Sequence, residues 1–290
     1  MRYYQRSVDG NTHLVGERDG AYSDLSTANP RLQTFDDLLY ASNVAETEID
    51  TIARRLIDEA EPIPSEDVGG ESLIEPVTPQ EVWAAGVTYR ISEEAREAES
   101  SKPEFYLEVY DSDRPELFFK ATPERVVGPN DRVGIRGDSD WNVPEPELGV
   151  VLSGREIVGY TIGNDMSSRA IEGENPLYLP QSKVYDRCCA IGPAVRSAAS
   201  IDDPADLEIR MRIERDGDVL YDESTNTSRM VRSIDELVDW YLRHNAVPDV
   251  SVLLTGTSLV PDDEFTLEPA DRIEIGIEGI GTLSNTVTEV

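Results

Sequence analysis

The sequence predicts an α+β fold in which strands dominate, with a small first unit over residues 1–76 and a larger second unit over residues 77–290. Three observations carry this. Valine and isoleucine recur amid dense glycine and proline punctuation, which favours strands joined by turns. Short apolar segments return from Gln80 to the end of the chain, and only a few stretches have helical spacing. A chain of 290 residues is long enough for one large domain, or for a small domain followed by a larger one.

Taken in order, "RYYQRSVDGNTHLVGERDGAYSDL" reads as a β-meander broken at Asp-Gly and Asn turns. Thr34–Ala60 has helical spacing. Thr34 can cap it, and Leu38, Leu39, Ile52, Leu56 and Ile57 supply apolar faces. "EPIPSEDVGGESLIEPVTP" is rich in Pro, Gly and Glu and marks the passage between units. Strand candidates follow: "VWAAGVTY", "LFFKA", "RVVG", "LGVVL", "IVGYTIGNDM", "LEIRMRIER", "VSVLLTGTSLV" and "RIEIGIEGIGTLSNTVTEV". Helix candidates are "SEEAREAE" after Ile91 and "SIDELVDWYLRH", which opens on a Ser233–Glu236 capping box.

The formal charge is −32, from 58 acidic and 26 Lys and Arg residues, and it is spread along the chain. Such a surface repels nucleic acid and anionic lipid. It also repels itself unless salt screens it, the Debye length falling to about 3 Å at 1 M. Lysine occurs at only three positions, Lys102, Lys120 and Lys183. This composition points to a protein of a salt-accumulating halophile. No apolar stretch approaches the ~20 residues that span a bilayer, and "MRYYQRSVDG" lacks a signal-peptide core. The adjacent Cys188 and Cys189 allow no disulfide framework. A reducing cytoplasm is the expected location, with no membrane and no nucleic-acid partner.

"PEPELGVVL" places Glu145 and Glu147 two residues apart, bracketed by prolines that favour extended backbone. E-x-E alone says little, since it recurs at Glu46/Glu48, Glu59/Glu61, Glu97/Glu99 and Glu172/Glu174. Here, strand periodicity would project both carboxylates from one face, while Leu148, Val150 and Leu152 enter a core from the other. Paired carboxylates repel, and a cation relieves that. Two histidines and one Cys-Cys pair argue against zinc; carboxylates and water suit Mg²⁺, Mn²⁺ or Ca²⁺. Asp165, about twenty residues on, would supply a third ligand if a hairpin returns beside the first strand; it fits an ordinary Asx turn equally well. Lys120 and Lys183 lie among apolar residues, as strand-end lysines or as cations beside a carbonyl substrate, with a pKa expected to fall near a metal. "LLTGTS" offers backbone N–H groups and a hydroxyl to a carboxylate. His13 and His244 have no partners at suggestive spacing.

Five motifs in order, "PEPELGVVL", "GYTIGNDMSSR", "QSKVYDRCCAIGP", "LLTGTSLV" and "GIEGIGTLSNTV", resemble the fumarylacetoacetate hydrolase family. The resemblance covers about Val82 to the C-terminus. It implies a mixed β-sandwich-roll catalytic domain with one divalent metal, usually Mg²⁺, held by Glu145, Glu147 and Asp165. It also implies an active-site Lys183, a substrate-binding Thr257, and a homo-oligomer, dimer or tetramer. Members that hydrolyse carbon–carbon bonds usually carry a His and a Glu soon after the first catalytic strand. "GVTYRISEEAREAESS" contains no histidine. The strings "GVTYR", "RPELFFK", "SDWNVPEPELGVV" and "NPLYLPQSKVYD" look instead like the branch of 2-keto-3-deoxy-pentonate dehydratases. That branch acts on a small sugar acid, the xylonate- or arabinonate-derived keto acid, and yields 2,5-dioxopentanoate. On this resemblance Lys183 and Glu116 are the acid/base pair and Arg90 orients substrate oxygens. The alternatives are an acylpyruvate-type hydrolase of a 2,4-dioxo acid and a non-catalytic binding protein of the same fold.

The charge makes a prediction independent of the fold. The melting temperature should rise strongly from dilute buffer to molar KCl as surface repulsion is screened. A flat profile would contradict the halophile reading.

Overall fold

A computed structural model of the protein describes residues 1–90, 109 and 112–290. The helix expected over "SEEAREAE" lies outside the described residues. The first unit contains β1 (Arg2–Val8), β2 (Asn11–Arg18) and β3 (Ala21–Asp24), the expected meander, then the short α1 (Leu25–Ala28). The helical stretch is two helices, α2 (Phe35–Ala45) and α3 (Ile49–Ile57). Thr34 caps α2 in a full capping box with Asp37, and Glu46 ends it in the left-handed region at φ 47°. The passage holds β4 (Glu61–Ile63) and β5 (Leu73–Ile74).

The second unit begins with β6 (Glu81–Gly86), β7 (Glu116–Ala121), β8 (Val126–Val127), β9 (Arg132–Ile135) and β10 (Asn142–Val143). Next come β11 (Pro146–Ser153), β12 (Glu156–Asp165) and β13 (Ser167–Ser168), then α4 (Arg169–Glu174) and α5 (Leu179–Lys183). The chain ends with β14 (Cys189–Ser197), β15 (Glu208–Arg215), β16 (Asp218–Asn226), α6 (Ile234–Leu242), β17 (Val250–Leu254), β18 (Arg272–Ile277) and β19 (Gly281–Glu289). Ser233 caps α6 by accepting from the Glu236 N–H, as its capping motif predicts.

Among the described residues the large sheet runs β4-β3-β2-β1-β14-β12-β11-β17-β6-β7, with β5 and β8 paired to β1 and β14. The smaller sheet runs β16-β15-β18-β19-β9. β11, β12 and β14 of the large sheet contact β15, β18 and β19 of the smaller, which gives the sandwich. The expected boundary near residue 76 falls after β5, and the large sheet crosses it: Tyr3 of β1 registers with Val195 of β14.

Several strands of this frame were absent from the sequence expectations: the short β4, β5 and β9, and the longer β14 and β16. β14 lies near the middle of the large sheet, but Gly192 and Pro193 interrupt its apolar pattern. β16 is an edge strand, mostly exposed, and its "DVLYDESTN" carries little apolar signal. The alternation expected for β11 holds only in part. Leu148, Val150 and Leu152 are buried, and so is Val151 on the opposite face, because this central strand is covered on both sides.

The first unit is tied to the sheet by Asp50 of α3. It accepts from the Tyr3 hydroxyl at 2.7 Å and from Ser197 Oγ at 2.9 Å. Tyr3 also packs its ring on Phe35, centroids 5.4 Å apart. Tyr3→Phe keeps the ring contact and strips a buried carboxylate of one donor. It should lower stability by about 1–3 kcal/mol, read as the denaturation midpoint in molar KCl, and leave catalysis intact. An unchanged midpoint would show that Asp50 does not depend on this donor.

Candidate metal centre and active site

The site forms where the β11–β12 hairpin opens. Glu147 registers with Gly163, and the Asp165 N–H donates to the Glu145 carbonyl at 2.9 Å. The hairpin thus returns Asp165 beside the E-x-E pair. One carboxylate oxygen from each of Glu145, Glu147 and Asp165 lies within 4.8 Å of the others. All three residues are buried, Asp165 completely.

Three cations answer this charge. Lys183, at the end of α5, donates to Glu145 Oε2 at 2.8 Å, Asp165 Oδ2 at 3.1 Å and Ser167 Oγ at 2.6 Å. Arg169 Nη2, at the start of α4, lies 2.9 Å from Glu145 Oε1. Lys120, fully buried on β7, pairs with Asp165 Oδ1 from the other side. Phe118 and Tyr185 present ring faces to the two ammonium groups, at 5.4 Å from Lys183 and 5.7 Å from Lys120.

The electrostatics divide the carboxylates. Burial opposes ionisation of Glu145, but Lys183 and Arg169 overcome it and hold its carboxyl below the usual range. Glu147 is pushed well up by burial and by repulsion from Asp165 and Glu145, since its direct partner is the neutral Gly256 N–H, donating at 2.6 Å. Two carboxylates act on Lys183. Burial alone would lower its pKa, but Asp165 and Glu145 carry it well above the ordinary lysine value. The "LLTGTS" loop differs from expectation: its backbone N–H at Gly256 binds the protein's own Glu147. Gly256 has φ +86°, and a Cβ there would sit 2.1 Å from Thr88 Oγ1.

The cavity above the carboxylates is lined by Glu116, Phe118, Arg169, Glu172, Lys183 and Thr257 among others. Arg90 is exposed and is not among its lining residues. Neither histidine is in it: His13 pairs with Asp24 at 2.7 Å, and His244 lines a separate depression beside Trp240. Arg169 went unremarked in the sequence reading, and Glu172 entered it only as part of a background E-x-E pair. The signal was present for Arg169, which closes the motif "GYTIGNDMSSR". A six-residue α4, capped by Ser168, turns it back over Glu145, and that turn has no sequence period to announce it.

These residues fit a hard divalent cation: three buried oxygen donors converge, and the repulsion that raises Glu147 is what a cation between them would relieve. Glu147→Gln should therefore melt at or above the wild type in chelator, since it removes that repulsion. Added Mg²⁺ should raise the wild-type melting temperature but not that of the variant. An equal Mg²⁺ response in both would exclude Glu147 as a ligand.

Comparison with known proteins agrees with this geometry. Residues 81–288 match the family model for the fumarylacetoacetate hydrolase C-terminal domain. The chain is 57% identical over 290 residues, all of both chains, to a probable 2-keto-3-deoxyxylonate dehydratase of Haloferax volcanii. It is 44% identical over 220 residues, 74% of each chain, to the 2-dehydro-3-deoxy-D-arabinonate dehydratase of Saccharolobus solfataricus. A solved 2-keto-3-deoxy-D-arabinonate dehydratase, complexed with magnesium and 2,5-dioxopentanoate, superposes with a TM-score of 0.84 at 33% identity, covering 100% of this chain and 99% of that one. The chain belongs to the fumarylacetoacetate hydrolase family.

Proposed function

We propose that the protein is a metal-dependent hydro-lyase that dehydrates a 2-keto-3-deoxy-pentonate to 2,5-dioxopentanoate in oxidative pentose degradation. The observation that carries this is its full-length likeness to the dehydratase solved with magnesium and that dioxo acid, over a buried carboxylate cage. In this reading Glu145, Glu147 and Asp165 hold Mg²⁺, with Mn²⁺ or Ca²⁺ as substitutes. The bound metal supplies Lewis-acid polarisation of the 2-oxo group, which acidifies carbon 3.

The protein's own groups then divide the work. Lys183, as an ammonium, donates to the oxygen on which negative charge develops. Glu116, across the cavity on β7, takes the proton from carbon 3 and returns it to the hydroxyl leaving carbon 4 as water. The resulting enone loses a proton from carbon 5 and regains one at carbon 3. The enol so formed takes a proton at carbon 4 and gives up its hydroxyl proton, and becomes the carbon-5 aldehyde. Thr257 binds the substrate carboxylate. Arg90, which is not among the lining residues, is kept in the reading as a residue that orients substrate oxygens.

The hydrolase alternative needs a general base to activate water. Neither histidine lies in the cavity, which favours elimination over carbon–carbon cleavage. The reading further assigns the enzyme to a salt-rich cytoplasm, as a homo-oligomer. Its charge of −32 supports the first assignment, and exposed apolar residues such as Tyr40, Val44 and Leu177 are compatible with the second.

Both 2-keto-3-deoxy-pentonates should be offered with and without Mg²⁺, with aldehyde and pyruvate assayed in parallel. Metal-dependent aldehyde without pyruvate is expected; pyruvate release would establish the hydrolase. Lys183→Met should lower kcat by about 10² or more with little change in KM. Solvent deuterium exchange at carbon 3 separates the roles. Lost exchange in Glu116→Gln places Glu116 at carbon 3, and retained exchange moves it to hydroxyl departure. Near-normal turnover of Lys183→Met would remove Lys183 from the chemistry.

A further inference from the structure

Lys120 is the second of the two lysines that converge on Asp165, in a chain that has only three. Its side chain is 0% exposed and lies on the far side of Asp165 from Lys183. It does not line the cavity, so it touches neither substrate nor reacting atoms there. Its ammonium makes three contacts. It pairs with Asp165 Oδ1, donates to the Met166 carbonyl at 2.8 Å, and donates to the carbonyl of Lys183 at 2.5 Å.

These contacts join three separate pieces of the site. Asp165 ends β12 and Met166 follows it, Lys183 closes α5, and Lys120 stands on β7, the strand that also carries Glu116 and Phe118. The carbonyl contact is telling. Lys120 grips the backbone of the same residue whose side chain reaches Asp165 Oδ2 from the other side. Asp165 is therefore clamped by its two oxygens, Oδ1 to Lys120 and Oδ2 toward Lys183 and the carboxylate cluster. The other two carboxylates are also anchored: Glu147 Oε2 by the Gly256 N–H, and Glu145 by Arg169 at Oε1 and Lys183 at Oε2.

We infer that Lys120 is a positioning residue that fixes the Asp165 carboxylate in the cluster and holds Lys183 in register with it. This rests on the metal-dependent reading above and deepens it. A fully desolvated lysine is costly to keep, and a strand-end residue that served packing alone could be apolar. A methionine would fill the same volume with no charge to bury. The contacts explain the lysine: an ammonium offers three donors, and the three acceptors it meets belong to the two elements that must stay aligned. Positioning and simple counter-charge predict opposite signs for metal binding. Removing a nearby positive charge tightens a cation by Coulomb's law. Releasing Asp165 from its anchor weakens it, because outer-shell partners of metal ligands are worth about 10–100-fold in affinity.

The test is calorimetric titration of the full-length protein with Mg²⁺ alone, with Mn²⁺ resonance spectra as a second readout. Wild type, Lys120→Met and Lys120→Gln are compared in molar KCl, with folding checked by circular dichroism. Positioning predicts Mg²⁺ binding weakened about 10–100-fold in Lys120→Met and a broadened Mn²⁺ signal. Lys120→Gln, which keeps donors for the carbonyls, should recover part of the loss. Should Lys120→Met not fold, Lys120→Gln alone decides, since weaker Mg²⁺ binding is still expected of it. Unchanged or tighter Mg²⁺ binding in a folded variant would overturn the positioning role. Wild-type protein that binds no Mg²⁺ would overturn the metal-dependent reading itself, a separate outcome.

Discussion

The structure depends on one costly arrangement: three carboxylates held together out of water. Like charges at such spacing repel, and burial removes the solvent that would screen them. Everything around the cluster answers that cost. Lys120, Lys183 and Arg169 bring three positive charges against three negative ones. They come from β7, α5 and α4, so the compensation requires these elements to close over the hairpin mouth. The order β12-β11-β17-β6-β7 in the large sheet brings them within reach. The glycine at 256 lets the loop after β17 approach closely enough to give its N–H to Glu147.

Surface and site follow opposite charge logic in one chain. The exterior accumulates acid to a formal −32, where repulsion is tolerable in concentrated salt. The interior spends two of three lysines and an arginine on local neutrality, where no salt reaches. Lysine scarcity outside makes the buried pair conspicuous. It also explains why Lys183 behaves as an ammonium. Burial by itself would discharge it, but two carboxylates in contact hold its proton more strongly than desolvation removes it.

Much of this was legible in the sequence, where the physics is local. The meander, the Thr34 and Ser233 caps and the β11–β12 hairpin follow from turn residues, capping patterns and alternation. Hairpin spacing offered Asp165 as a partner of the E-x-E pair with an Asx turn equally open, and the hairpin returns it beside Glu145. What escaped is nonlocal or lacks a period. β14 hides behind Gly192 and Pro193, and β16 is too polar to read as a strand. Arg169 reaches Glu145 only because a short helix folds back, and Lys120 meets Lys183's carbonyl across 63 residues.

The central claim is that the three carboxylates exist to hold a divalent cation. A crystal structure of protein soaked in Mn²⁺, with data collected at the manganese absorption edge, tests it most directly. The account predicts one strong anomalous peak bounded by oxygens of Glu145, Glu147 and Asp165, with Lys120 still on the far oxygen of Asp165. A peak elsewhere, with Lys183 alone bridging the three carboxylates, would contradict it.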